Sequence, residues 1–150
     1  MECTFCKMIK DQEGLYKIWE NEEFLAFLSI FPNTEGFCIV TSKKHYSADI
    51  FDISDEILYK LITASKKVAH ILSSKLQDVG RVSLVLENIG VDHIHAKLIP
   101  LHGTANIAKW KPITAYLDKY FEEYEGYIST HDYVREDNKT LEKLAKKLQS

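Results

Sequence analysis

Residues 88–103 read NIGVDHIHAKLIPLHG, and the centre of that stretch, His93-Ile94-His95-Ala96-Lys97, decides how the rest of the chain is read. Polar and apolar residues alternate there with the period of two that marks a half-buried β-strand. His93, His95 and Lys97 therefore share one face, while Ile94, Ala96 and Leu98 turn to the core. Same-face neighbours on a strand stand roughly 6–7 Å apart, twice the rise per residue. Two imidazoles and an ammonium are thus displayed side by side, a surface suited to an anion. A His-x-His pair also decorates plain solvated strands, so the surroundings must separate the two readings. Pro100, in the run Pro100-Leu101-His102-Gly103, predicts the end of the strand, since proline cannot donate to a central ladder.

Working outward, residues 81–87 are aliphatic and β-branched, and the short 88–92 connection makes them the hairpin partner of the histidine strand. Residues 15–19 and 24–30 read as two further strands separated by the polar Glu20-Asn21-Glu22-Glu23. Turn formers collect from Pro32 to Gly36, and a strand over 37–41 follows, giving an antiparallel meander. A helical turn near 5–9 precedes all of these. Ser54, followed by Asp55 and Glu56, has the chemistry of a helix N-terminus. Ile57, Leu58, Leu61, Ile62, Val68, Ala69, Leu72 and Leu76 then recur at helical spacing, predicting a long helix that runs to about Gly80. That helix carries more than one apolar stripe, and the second needs a partner, which predicts a homodimer. Pro112 opens another helical pattern that lasts until Gly126, and Asp137 or Asn138 caps a last helix carrying Leu141, Leu144, Ala145 and Leu148. The fold class is α+β: an antiparallel sheet, a long helix and C-terminal helices. Residues 1–150 make one domain, with 104–150 a helical extension.

At 150 residues, with 45% hydrophobic and 27% charged side chains, the chain can bury one proper core. A net charge of −3 offers no footprint for polymeric nucleic acid. No window approaches the ~18 apolar residues of a membrane span, and the expected location is the cytoplasm. Three cysteines are too few for a disulfide scaffold. Cys38 sits in the apolar run Phe37-Cys38-Ile39-Val40 and reads as a small core hydrophobe. Cys3-Thr4-Phe5-Cys6 reads as a redox dithiol or as half of a metal site. The redox reading lacks the βαβ context it needs, and zinc requires two ligands from elsewhere.

The pattern His-hydrophobic-His-hydrophobic-x-hydrophobic-hydrophobic-Pro at 93–100 resembles the signature of the histidine triad family, with Lys97 standing where that family has its third histidine. Phe24-Leu25-Ala26-Phe27, Pro32, Gly36 and Lys44-His45 fall where the family has a strand, a turn, a strand and a basic-His segment. The resemblance covers roughly residues 3–103. It implies an α+β domain, usually dimeric, that binds a nucleotide or dinucleotide and breaks a bond at the phosphorus next to the 5′ oxygen through a nucleotidyl-histidine. The residue matching the nucleophile is His95, with Lys97 beside it as a clamp on the phosphoryl oxygens. Substrate contacts carry over to Phe27, Ser29, Ile30, Asn88 and Lys97. Bacterial members that begin with C-x-x-C imply a structural zinc held by Cys3, Cys6, His45 and His93. Departures are equally plain: Ser29 stands where an aspartate usually grips the ribose hydroxyls, Phe37 where many members have a histidine, and the 88–92 loop is short. The implied activity is a hydrolase or transferase acting on dinucleoside polyphosphates or nucleoside phosphoramidates. The alternative is a zinc-stabilised nucleotide-binding protein without turnover.

Overall fold

The structure is a computed structural model that describes residues 3–106 and 135–149. Its elements in chain order are α1 (Thr4–Asp11), β1 (Lys17–Glu20), β2 (Phe24–Leu28), β3 (Cys38–Ser42), α2 (Asp55–Lys75), β4 (Val79–Val85), β5 (His95–His102) and α3 (Asn138–Gln149). The strands form one antiparallel sheet in the order β1-β2-β3-β5-β4. This is the expected α+β arrangement, with β5 in the interior of the sheet between β3 and β4.

Alternation along β5 sorts its side chains between two layers. Ile94, Ala96 and Leu98 join the main core, where α2 contributes Leu61, Ala64, Val68 and Leu72 and α3 contributes Leu141, Leu144, Ala145 and Leu148. The last helix is thus part of the core, and the Asp137 side chain caps it by accepting from the Lys139 and Thr140 amides. On the opposite face a smaller cluster of Phe5, Leu25, Phe27 and Ile39 lies under α1. The two histidines sit on that second face, and α1 covers them. His93 is 0% and His95 6% exposed, so the expectation of an open reactive surface is corrected to a roofed one.

Several boundaries also differ from expectation. Pro100 does not end its strand. β5 runs on to His102, because β3 pairs with β5 only as far as Leu98 and the proline faces no β3 partner. Its ring instead packs against Gly36, where an added Cβ would meet Pro100 Cγ at 3.2 Å and Leu76 Cδ1 at 2.5 Å at a φ of +84°. The long helix stops at Lys75 rather than near Gly80: Leu76 turns extended, and Asp78 takes φ 59° before β4 begins. The hairpin strand accordingly starts earlier, at Val79. The helix expected over 112–126 lies outside the described residues.

Candidate active site and metal cluster

The start of β5 and the two residues before it build two adjoining sites, and the same pair of histidines divides between them. His93 precedes the strand and is wholly buried. Its Nε2 lies 2.9 Å from the Ser42 carbonyl oxygen, which can only accept, so Nε2 carries the proton and Nδ1 keeps its lone pair. That lone pair faces sulfur: Cys3 Sγ lies at 3.4 Å and Cys6 Sγ at 3.6 Å. Cys6 Sγ is in turn 3.5 Å from Nδ1 of His45, which follows β3. The four donor atoms of Cys3, Cys6, His45 and His93 all lie within 4.8 Å of one another.

Each member of this cluster has a local reason to be there. Cys3 is the N-cap of α1 and Cys6 stands in its first turn, so both thiols reach the Nδ1 of His93. Ser42 closes β3 and fixes the His93 ring through its carbonyl and, at 3.2 Å, its hydroxyl. That hydroxyl donates to the Lys44 carbonyl at 2.6 Å, which ties the His45 segment to the same point. Two sulfurs and two imidazole nitrogens meet the requirement of tetrahedral zinc, whose ligand atoms stand about 3.5 Å apart when bond lengths are near 2.0 and 2.3 Å. The residues therefore fit the metal that the sequence implies.

His95 serves the second site. Its Nδ1 lies 2.7 Å from the His93 carbonyl oxygen, so Nδ1 donates and Nε2 holds the free lone pair of the neutral ring. Burial holds the imidazole below the ordinary histidine range, and the Lys97 charge adds to this; the His93 carbonyl and the Glu87 charge work the other way. Phe5 packs edge-on against His95 at 5.4 Å and against Phe27 at 5.5 Å. A cavity of about 250 Å³ opens beside the ring. Phe5, Met8, Phe27, Ile30 and Ile39 give it an apolar wall, and Ser29, Lys97 and Glu87 supply polar groups.

Of the residues expected to meet a substrate, Phe27, Ser29, Ile30, His95 and Lys97 line this cavity, and Asn88 does not. Asn88 sits at φ 56°, and its side chain turns to the 49–50 segment, donating to Asp49 Oδ1 at 3.4 Å and accepting from the Ile50 amide at 3.5 Å. It clasps the loop to the 49–50 segment. Ser29 Oγ accepts from the Phe31 amide at 3.1 Å and so shapes the bend after β2. Lys97 is ion-paired with Glu87, a residue the sequence reading passed over. The alternating pattern of β4 extended to residue 87 was the available signal. Phe5 and Met8 were missed too, because nothing local says that α1 folds over the histidines.

A family model described as the HIT domain matches residues 12–104. The chain belongs to the histidine triad family. The adenosine 5′-monophosphoramidase of Saccharomyces cerevisiae is 34% identical over 98 residues, which are 65% of this chain and 61% of the yeast protein's length. An uncharacterized HIT-like protein of Methanocaldococcus jannaschii is 31% identical over 134 residues, covering 83% of this chain and 99% of its own. The crystal structure of a Zn-bound histidine triad family protein from Mycobacterium smegmatis superposes with a TM-score of 0.68 at 19% identity, covering 99% of this chain and 91% of that one. The histidine triad match begins at residue 12, so α1, with both cysteines, lies ahead of it.

Proposed function

We propose that this histidine triad protein is a nucleotide hydrolase or nucleotidyl transferase that attacks the α-phosphorus of a nucleoside phosphoramidate or a dinucleoside polyphosphate with Nε2 of His95. The observation that carries the reading is the 2.7 Å contact of His95 Nδ1 with the His93 carbonyl, which leaves Nε2 unprotonated at the wall of a cavity that also holds Lys97. The likeness to the yeast adenosine 5′-monophosphoramidase supports the substrate class.

In the first step a bond forms between Nε2 and phosphorus, and the bond from phosphorus to the leaving nitrogen or oxygen breaks. The departing group takes up a proton from solvent, and the nucleotidyl group stays on the imidazole. Water then attacks phosphorus, the bond from phosphorus to Nε2 breaks and water's proton passes to solvent, which releases the nucleoside monophosphate and restores the neutral ring. Dividing one displacement into two in this way is the advantage of nucleophilic catalysis. The His93 carbonyl helps by stabilising the positive charge that the ring acquires when it is bonded to phosphorus. Lys97 stabilises the phosphoryl oxygens. Phe27 and Ile30 hold the apolar part of the nucleotide, and Ser29 offers its hydroxyl at the rim.

Zinc belongs to this reading as a closed structural ion on Cys3, Cys6, His45 and His93, supported by the clustering of their donor atoms. When bound, it supplies cross-linking between α1 and the histidine strand. The proposed location is the cytoplasm, whose reducing conditions disfavour disulfides. No helix among the described residues is long and apolar enough to cross a membrane.

Lys97→Ala is expected to lower kcat for adenosine 5′-phosphoramidate on the order of 10²- to 10³-fold, the usual loss for one donor to a developing anion. Lys97→His restores the third histidine and is expected to keep part of the activity. Steady-state kinetics on the three proteins checks this. Binding of nucleotides without turnover of any compound in a broad panel would replace the enzyme with the binding protein.

We also propose a homodimer formed through α2 and β4. β4 ends the sheet among the described residues, and Tyr59 and Ile62 on α2 and Leu84 on β4 are exposed apolar side chains at 66%, 38% and 40%. Light scattering at micromolar concentration is expected to give twice the 17.3 kDa chain mass. A monomer mass removes the dimer from the reading.

A further inference from the structure

The wall of the His95 cavity carries two full charges among the described residues, Glu87 and Lys97, and they are paired with each other. Both side chains are well covered, 9% exposed for Glu87 and 15% for Lys97. Register explains the meeting. Val85 of β4 lies opposite Lys97 of β5. Counting on along the antiparallel pair puts Glu87 across from His95 and diagonal to Lys97, within reach of a long side chain. The carboxylate is thus aimed at the one cation of the cavity wall from the neighbouring strand.

A lysine ammonium ends a flexible four-carbon stem, and unanchored it samples many rotamers. Electrostatic catalysis depends on a charge that is already in place when the transition state forms. An exposed ion pair does little to fix such a charge, but a pair this well covered does, because neither group can turn to water freely. We propose that Glu87 is a positioning residue for the reaction at His95, holding the Lys97 ammonium at the cavity wall where the phosphoryl oxygens arrive. The inference rests on the reading of Lys97 as the phosphate contact.

A double-mutant cycle tests it. Glu87→Ala, Glu87→Gln, Lys97→Ala and the double variant Lys97→Ala/Glu87→Ala are compared with the native chain in kcat and KM for adenosine 5′-phosphoramidate, with thermal unfolding measured alongside. Glu87→Ala is expected to lower kcat on the order of tenfold, with KM changed less than about twofold, since the interaction is one of transition-state geometry. Glu87→Gln keeps an oxygen that accepts from the ammonium and is expected to recover part of the loss. In the Lys97→Ala background, removing Glu87 is expected to cost nothing further in kcat, because its effect travels through Lys97. The same loss from Glu87→Ala in both backgrounds overturns the proposal, as does full kcat in the isosteric Glu87→Gln and in Glu87→Ala. If Lys97→Ala itself leaves kcat unchanged, the reading of Lys97 falls and this proposal with it. Loss of kcat in Lys97→Ala but not in either Glu87 variant overturns the positioning role alone.

Discussion

His95→Ala is expected to abolish turnover of adenosine 5′-phosphoramidate and diadenosine polyphosphates, on the order of 10⁴-fold or more in kcat, as removal of a nucleophile usually does. Among the described residues His95 supplies the one imidazole in the wall of the cavity. No neighbour can take its place. The loss is expected without collapse of the fold: the ring's hydrogen bond to the buried His93 carbonyl is lost, at a cost of roughly 1–3 kcal/mol, while Ile94 and Ala96 stay in the core. Mass spectrometry of native enzyme quenched during turnover is expected to show one nucleotidyl group per chain, and the His95→Ala protein none. Equal turnover by the two proteins ends the mechanism. The pH profile gives an independent check. Burial favours the uncharged ring and depresses the imidazole below its ordinary 6.5. The nucleophile therefore stays unprotonated through neutral pH, and its protonation is expected to lower kcat/KM on the acid side of 6.5.

Much of this was legible in residues 93–98 alone. Period-two alternation assigns Ile94, Ala96 and Leu98 to one layer and His95 and Lys97 to the other, and the layers form as that pattern requires. Cys3 and Cys6 show a metal-binding spacing, but their partners lie 39 and 90 residues away in sequence. Only the resemblance to a family named His45 and His93. What the sequence could not show was what lies above the histidine face. An eight-residue α1 has one strongly apolar side, yet nothing in its pattern says which surface that side covers. The Glu87–Lys97 pair was hidden for a related reason: it depends on the register of β4 against β5, and register follows from the whole hairpin rather than from either residue. Pro100 misled because a rule about central strands was applied without knowing that β3 stops pairing two residues earlier.

Removing the metal is expected to have the largest effect on stability, and to reach the active site through α1. The helix meets the sheet through one buried residue, Phe5, with Met8 and Ile9 half-buried beside it. Such a short segment holds little helical stability of its own. Thiolates and imidazoles holding one ion would cross-link the start of α1 to the segments after β3 and before β5, and where a site exists only in the folded chain the binding free energy is folding free energy. Cys6→Ser, or exhaustive chelation, is therefore expected to lower Tm by about 10 °C, roughly 3–5 kcal/mol in a chain of this size. Metal analysis is expected to find one zinc per native chain, and none after Cys6→Ser. Because the ligands must lose their protons, retention of zinc should weaken as pH falls. Phe5 is the link to function: it touches His95 and Phe27 from the same turn that carries Cys3 and Cys6. When the turn is released, the cavity loses one apolar wall. Nucleotide affinity is then expected to drop about tenfold, the loss of roughly one buried aromatic contact, while tryptic cleavage after Lys7 and Lys10 becomes fast. A metal-free protein that keeps the native Tm, the native nucleotide affinity and a protected α1 would show that the cluster does not hold this helix in place.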